Sequence, residues 1–256
     1  MDRVLAVVAH PDDVEFLMAG TMLRLREAGF ELHYFTVANG CCGSMTEDRE
    51  TIARIRREEA ESAAAALGAT YHPPVANDLE VFYCKELLAK VASVIRAVAP
   101  RIILTHSPAD YMEDHMNTSR LAVSGAFTRA MPNFPVDPPR DAVSFDVRVY
   151  HAQPYFNRDP LGVLVQPHLF VDVADLQEQK AELLRLHASQ QQWLDATQGQ
   201  GCYLDTMRAL DRDVGRMSGR FEAAEGWRRH LHVGFCDPLE DPLRVALEPY
   251  VLVAEA

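Results

Sequence analysis

Short apolar runs separated by helix-forming stretches dominate the first half of the chain, and they constrain the fold more than any other feature. Residues 3–9 read RVLAVVA, a continuous apolar run rich in β-branched side chains. Such a run suits a strand buried on both faces, as parallel sheets require. Residues 14–28 then place Phe16, Leu17, Met22, Leu23 and Leu25 on one side of a helix packed on the sheet. The pattern repeats. Strands are predicted at 31–38, 69–72 and 101–106, and helices at 49–67, at 85–98 and from near His115. This alternation predicts an α/β fold, a Rossmann-like three-layer sandwich with a mostly parallel sheet. Further strands are read in 146–153 and 161–173, and a long helix over 175–193. A Pro-rich connection at 133–139 marks no domain boundary. Residues 1–256 are therefore read as one domain, with about 191–256 as an oligomerisation or active-site-covering extension.

Composition narrows the function. The formal net charge is −12, so phosphate backbones are repelled and nucleic acid is excluded as a partner. No apolar run approaches the roughly 18–20 residues that cross a bilayer. The N-terminal apolar stretch is too short for a signal peptide and runs straight into charged residues. A cytoplasmic protein with no membrane partner is expected. The cysteines, Cys41, Cys42, Cys84, Cys202 and Cys236, are odd in number and form no CxxC pair. They read as small half-buried side chains, although the adjacent Cys41 and Cys42 in a glycine-bearing loop are also soft-metal ligand types.

Ligands of open parallel sheets bind at the carboxyl ends of the strands. Two loops at such ends carry histidine and aspartate: HPDD at 10–13, and THSPADYMEDH at 105–115. Residues three apart across a tight turn lie under about 7 Å apart at Cα, so His10 and Asp13 can aim at a common point. Imidazole nitrogen with carboxylate oxygen suits zinc, at distances of roughly 2.0–2.2 Å. A catalytic zinc usually takes three protein ligands, and His115 is the third candidate. Asp12 is then placed to act as general base on an activated water. The same residues also read as a helix cap, Asp12 or Asp13 capping the first turn with Glu15 three residues after Asp12. On spacing alone, both readings stand.

The motif has companions. AHPDD ends the first strand and DH opens a helix after a later one. ANGCCGS follows the second strand, RIRREEAESAAAALGA fills the next helix, and KAELLRLHASQ lies further on. Over roughly residues 2–190 this set resembles the PIG-L/LmbE-like family of zinc-dependent N-acetylglucosamine deacetylases. The resemblance implies His10, Asp13 and His115 as metal ligands, Asp12 as general base, and zinc as cofactor, with Fe2+ as another candidate divalent ion. It implies Arg56 as a substrate contact, with neighbouring Arg57 leaving the register open by one, and Asn39 as a second. Asp114 is read as orienting His115 or capping its helix. The implied reaction is hydrolysis of a small N-acetylated amino sugar, in a homo-oligomeric enzyme.

One position departs from the family pattern. Many members carry an oxyanion-stabilising histidine three residues before the last ligand, and here Met112 stands there. Methionine donates no hydrogen bond, so His106 and His187 become candidates for that role. The departure leaves open an amidase on a non-sugar amide such as a thiol conjugate, or a metal-containing binding protein. The segment 201–236 is a candidate for a subunit contact or for covering the site.

Overall fold

The computed structural model describes residues 1–198 and 202–254. Strand β1 (Arg3–Val8) alternates its side chains between two apolar layers, as pleating demands. Val4, Ala6 and Val8 face one core, while Leu5 and Val7 face the other. The first layer is completed by α2 (Ala19–Glu27), α3 (Arg49–Leu67) and α6 (Gln177–Arg185). The second is completed by α4 (Lys85–Val98) and α5 (Glu113–Phe127). Gly125 lets α4 and α5 approach closely, because a Cβ there would stand 2.9 Å from Ile95 Cδ1.

Strands β2 (Glu31–Thr36), β3 (Ala69–His72), β4 (Ile102–Thr105), β5 (Arg148–Ala152), β6 (Leu169–Asp172), β7 (Ala224–Arg229) and β8 (Val251–Val253) complete the sheet. The order is β3-β2-β1-β4-β5-β7-β6-β8. Pairing is parallel from β3 to β5, and the remaining pairs are antiparallel. The chain steps from β1 to β2 on one side and later to β4 on the other. That reversal opens a crevice beyond the carboxyl ends of β1 and β4.

Helix bounds over 49–67 and 85–98 agree with the sequence pattern, and the differences have local causes. The helix expected over 14–28 is broken at Met18 (φ −150°, ψ 0°) into α1 (Asp13–Leu17) and α2. The long helix expected over 175–193 becomes a short 3-10 turn, then α6, a turn at Leu186–His187, and α7 (Ala188–Gln198). The segment 201–236 is not peripheral where it is described: α8 (Cys202–Ser218) leads into β7, which lies between β5 and β6. Glu225 on β7 accepts the Gly20 and Thr21 amides at the start of α2 (2.9 and 2.7 Å) and the Lys180 ammonium (2.6 Å). Trp227 is fully buried and donates to Thr21 Oγ1. Gly201 and the side chain of Cys202 lie outside the described residues. The short α9 (Pro242–Ala246) precedes β8, and no helix among the described residues is long and apolar enough to cross a membrane.

Candidate metal centre and catalytic site

The turn after β1 does more than start a helix. Asp12 occupies the N-cap position of α1, yet its side chain makes no capping bond, and its backbone is left-handed (φ 103°). That conformation costs a non-glycine residue about 1–3 kcal/mol and persists only where surrounding contacts impose it. Arg56, buried on α3, supplies such contacts by donating to Pro11 O (2.6 Å) and Asp12 Oδ1 (3.3 Å). Tyr203 on α8 donates its hydroxyl to Asp12 Oδ2 (2.6 Å). Asp13 folds back instead, accepting the His10 amide at 2.7 Å. The carboxylates are therefore aimed in different directions by the turn itself.

Ligand atoms of His10, Asp13 and His115 all lie within 4.8 Å of one another, and all three residues are buried. His115 Nε2 stands 3.5 Å from Asp13 Oδ1, and His10 Nδ1 3.6 Å from Asp13 Oδ2. The outer nitrogens are occupied elsewhere. His10 Nε2 meets Asp114 Oδ2 (3.1 Å), and His115 Nδ1 meets Asp110 Oδ1 (3.0 Å). A carboxylate behind each histidine fixes the tautomer that leaves the inner nitrogen free for a metal. Asp114 was expected to orient His115 or to cap its helix. It belongs to His10 and also accepts the Leu79 amide (2.7 Å), because the first turn of α5 points its side chain back towards β1.

The electrostatics fit a cation at this point. Burial alone raises the Asp13 carboxyl, but His115 and His106 overcome it and hold it well below the usual carboxylate range. Burial lowers the His10 imidazole, yet bonds to Asp114 and Asp13 carry it up to about 10. The pocket thus calls for positive charge between its carboxylates, and a divalent ion on His10, Asp13 and His115 meets that demand with nitrogen and oxygen donors. Asp12 differs from its neighbour. Burial pushes it up from the ordinary range, against the pull of Arg56.

Other candidates from the sequence have other places. His106 is fully buried, receives the Ala9 amide on Nε2 (2.9 Å) and stacks on His115 with ring centroids 4.1 Å apart. His187 is equally buried, with Nε2 3.2 Å from Glu15 Oε2. Neither has a face open to a substrate. Asn39 bonds Asn77 Oδ1 (2.8 Å), tying the β2 and β3 loops together. Arg57 pairs with Glu61 on the surface (2.8 Å), so Arg56 is the arginine at the site. Met112 sits at the N-cap of α5. Asp110 and Tyr203 were not singled out from sequence. Asp110 lies five residues before His115 in an acidic loop, which is a weak local signal, and nothing near Tyr203 in sequence points to Asp12.

On the open side, Tyr111 is 62% exposed and meets His115 edge-on at 5.6 Å. Tyr155 follows at 5.4 Å from Tyr111, and Phe156 at 4.6 Å from Tyr155. The buried ligand cluster therefore opens onto an aromatic rim.

The sequence model of the PIG-L family, described as GlcNAc-PI de-N-acetylase, matches residues 5–126. A diacetylchitobiose deacetylase of Thermococcus kodakarensis is 29% identical over 197 residues, covering 73% of this chain and 70% of that protein. A 4-oxalmesaconate hydratase of Pseudomonas putida is 26% identical over 197 residues, 73% of each chain. Among solved structures, the N,N'-diacetylchitobiose deacetylase from Pyrococcus horikoshii superposes with a TM-score of 0.76 at 24% identity, covering 91% of this chain and 85% of that one. At that identity the likeness is one of fold.

Proposed function

We propose that the chain, whose residues 5–126 match the PIG-L family model, is a metal-dependent deacetylase acting on a small N-acetylated amino sugar. The observation that carries this reading is the convergence of His10, Asp13 and His115 beside an Asp12 that is held off the cap and off the ligand set. Zinc is the proposed ion, since a two-histidine, one-carboxylate set with a position left open suits it. When bound there, zinc supplies Lewis acidity and a water of lowered pKa.

The chain's own residues do the rest. Asp12, with its carboxyl raised by burial, takes the proton from the attacking water as the acyl carbon turns tetrahedral. Tyr203 and Arg56 hold that carboxylate in one orientation, so little reorganisation is needed at the moment of proton transfer. Asp12 then returns the proton to the leaving amine. Asp110 and Asp114 keep the ligand imidazoles in register. His106 and His187 receive no contact with substrate in this scheme, because both rings are enclosed. The aromatic rim at Tyr111 and Tyr155 faces the ring of an amino sugar. The chain acts as one functional unit, since Tyr203 comes from α8 and β7 lies inside the sheet. Association of copies is proposed with it and is read from the elution volume of the purified protein.

A second reading is favoured by Met112, where an oxyanion donor is missing, together with the hydratase relative. It is water addition to a small unsaturated acid instead of amide cleavage. Incubation of the zinc-loaded protein with N-acetylated amino sugars, non-sugar amides and unsaturated dicarboxylates distinguishes the readings. Release of acetate and free amine from the sugars supports deacetylation. Loss of the unsaturated chromophore without amine release supports the hydratase reading.

A further inference from the structure

The loop after β2 carries chemistry that deacetylation does not use. Cys41 and Cys42 stand side by side there, and Asp78 from the loop after β3 faces them. The sulfur atoms of both cysteines and a carboxylate oxygen of Asp78 lie within 4.8 Å of one another. Cys41 is buried and Cys42 is exposed, so the cluster has protein on one side and solvent on the other.

The arrangement is fixed before any ligand arrives. Asp78 Oδ1 accepts the Gly40 amide (2.6 Å) and Oδ2 accepts the Cys42 amide (2.9 Å). Each carboxylate oxygen keeps a further lone pair. Gly40 has φ +76°, a conformation that lets the loop double back over Asp78. Arg49 Nη2 donates to Cys41 Sγ (3.4 Å) and to Glu80 Oε1 (3.1 Å), which ties the start of α3 to the cluster.

We propose that Cys41, Cys42 and Asp78 form a second cation site, selective for a thiophilic divalent ion of the zinc and cadmium type. Two thiolates and a carboxylate suit such an ion, with the solvent side of Cys42 left for water as fourth ligand. On binding, both thiols release their protons to solvent. The two thiolates and the carboxylate then leave one net negative charge around the ion, set against Arg49. The site shares no residue with the His10, Asp13 and His115 cluster, yet a short chain of hydrogen bonds leads towards that cluster on each of two sides. Gly40 O receives Arg56, which holds Asp12, and Leu79, next to Asp78, donates to Asp114, which holds His10. An ion here clamps the β2 loop to the β3 loop beside the catalytic centre.

The test uses protein already loaded with one equivalent of zinc and kept reduced, titrated with Cd2+. Sulfur-to-cadmium charge-transfer absorption is recorded, and bound cadmium is counted after desalting. The His10, Asp13 and His115 cluster contains no sulfur, so cadmium exchanging into it gives no such band. The wild type is expected to take one cadmium per chain with a thiolate band. Cys42→Ser, a change at an exposed position, is expected to lose the band and weaken that equivalent by at least about 10-fold, while keeping its zinc. Asp78→Asn is expected to weaken it with the band retained at higher Cd2+. The absence of a thiolate band in the wild type, or an unchanged band in Cys42→Ser, overturns the proposal.

Discussion

The Tyr203 hydroxyl lies 2.6 Å from Asp12 Oδ2 across 191 positions of sequence, and it joins α8 to the turn that begins the site. The bond is buried and its acceptor is a carboxylate, so it belongs to the stronger class of hydrogen bond. Tyr203→Phe removes it while keeping the ring that packs on Phe16 (centroids 5.2 Å apart). A hydrogen bond to a charged group contributes about 1.5–3 kcal/mol, so kcat is expected to fall about 10- to 100-fold with KM little changed. Steady-state kinetics of free-amine release check this, and a change confined to KM counts against the positioning role.

The carboxylates behind the histidines give a separable prediction. Asp114→Asn acts through His10 and Asp110→Asn through His115. Each is expected to weaken metal affinity by about 10- to 100-fold, the usual cost of losing such a partner. Competition with a chelator of known affinity measures it. Wild-type metal affinity in both variants contradicts the orientation argument.

Gly40→Ala tests the support of Arg56. A Cβ at Gly40 would lie 2.6 Å from Arg56 Cδ, on a backbone with φ +76°. Arg56 must then withdraw from Pro11 O and Asp12 Oδ1. Turnover is expected to fall at least about 10-fold, as the charge-assisted hydrogen bond to Asp12 is lost with that to Pro11 O, with metal content unchanged. The comparison of kcat with metal per chain decides it.

His151 sets an acid limit on stability. Burial, offset in part by its bond to the His106 carbonyl, lowers its pKa from 6.5 to about 4. The folded state therefore holds the ring neutral, while the unfolded chain binds a proton below pH 6.5. Between pH 6.5 and 4 the unfolded state binds more protons, so stability falls as pH falls and levels off below about 4. The loss amounts to about 3 kcal/mol across that window. Urea unfolding of wild type and His151→Gln at pH 7 and pH 4.5 measures the difference, and parallel pH slopes refute it.

The enclosed Lys180 is held by Asp211 Oδ2 and Glu225 Oε1, each at 2.6 Å. Lys180→Met leaves these buried acids without their cation. Breaking such a group by removing one partner costs about 3–5 kcal/mol, which denaturant unfolding at neutral pH will show as a lowered midpoint.

Much of this architecture was legible in the sequence because it is written locally. Apolar runs marked β1 and β4, and Gly68 with its φ of 78° closed α3 where the helical pattern stopped. The convergence of His10, Asp13 and His115 was legible because strand-end loops of a parallel sheet meet at the point of reversed strand order. Other features depend on tertiary contact. The partner of His10 could not be read from Asp114's adjacency to His115, since helix direction turns that carboxylate away. Tyr203 has no local mark, and the break at His187 follows from how α6 and α7 pack separately. The antiparallel end of the sheet was hidden because β7 lies far along the chain from the strands it separates.

Asp12→Asn puts the central claim to its most direct test, with zinc per chain and amine release from an N-acetylated amino sugar measured on the same sample. Asp12 holds no ligand position, so zinc content is expected to match the wild type. Turnover is expected to fall by about 10²- to 10⁴-fold, the usual contribution of a positioned general base. Wild-type turnover in the zinc-loaded variant would contradict the account, as would loss of the zinc itself.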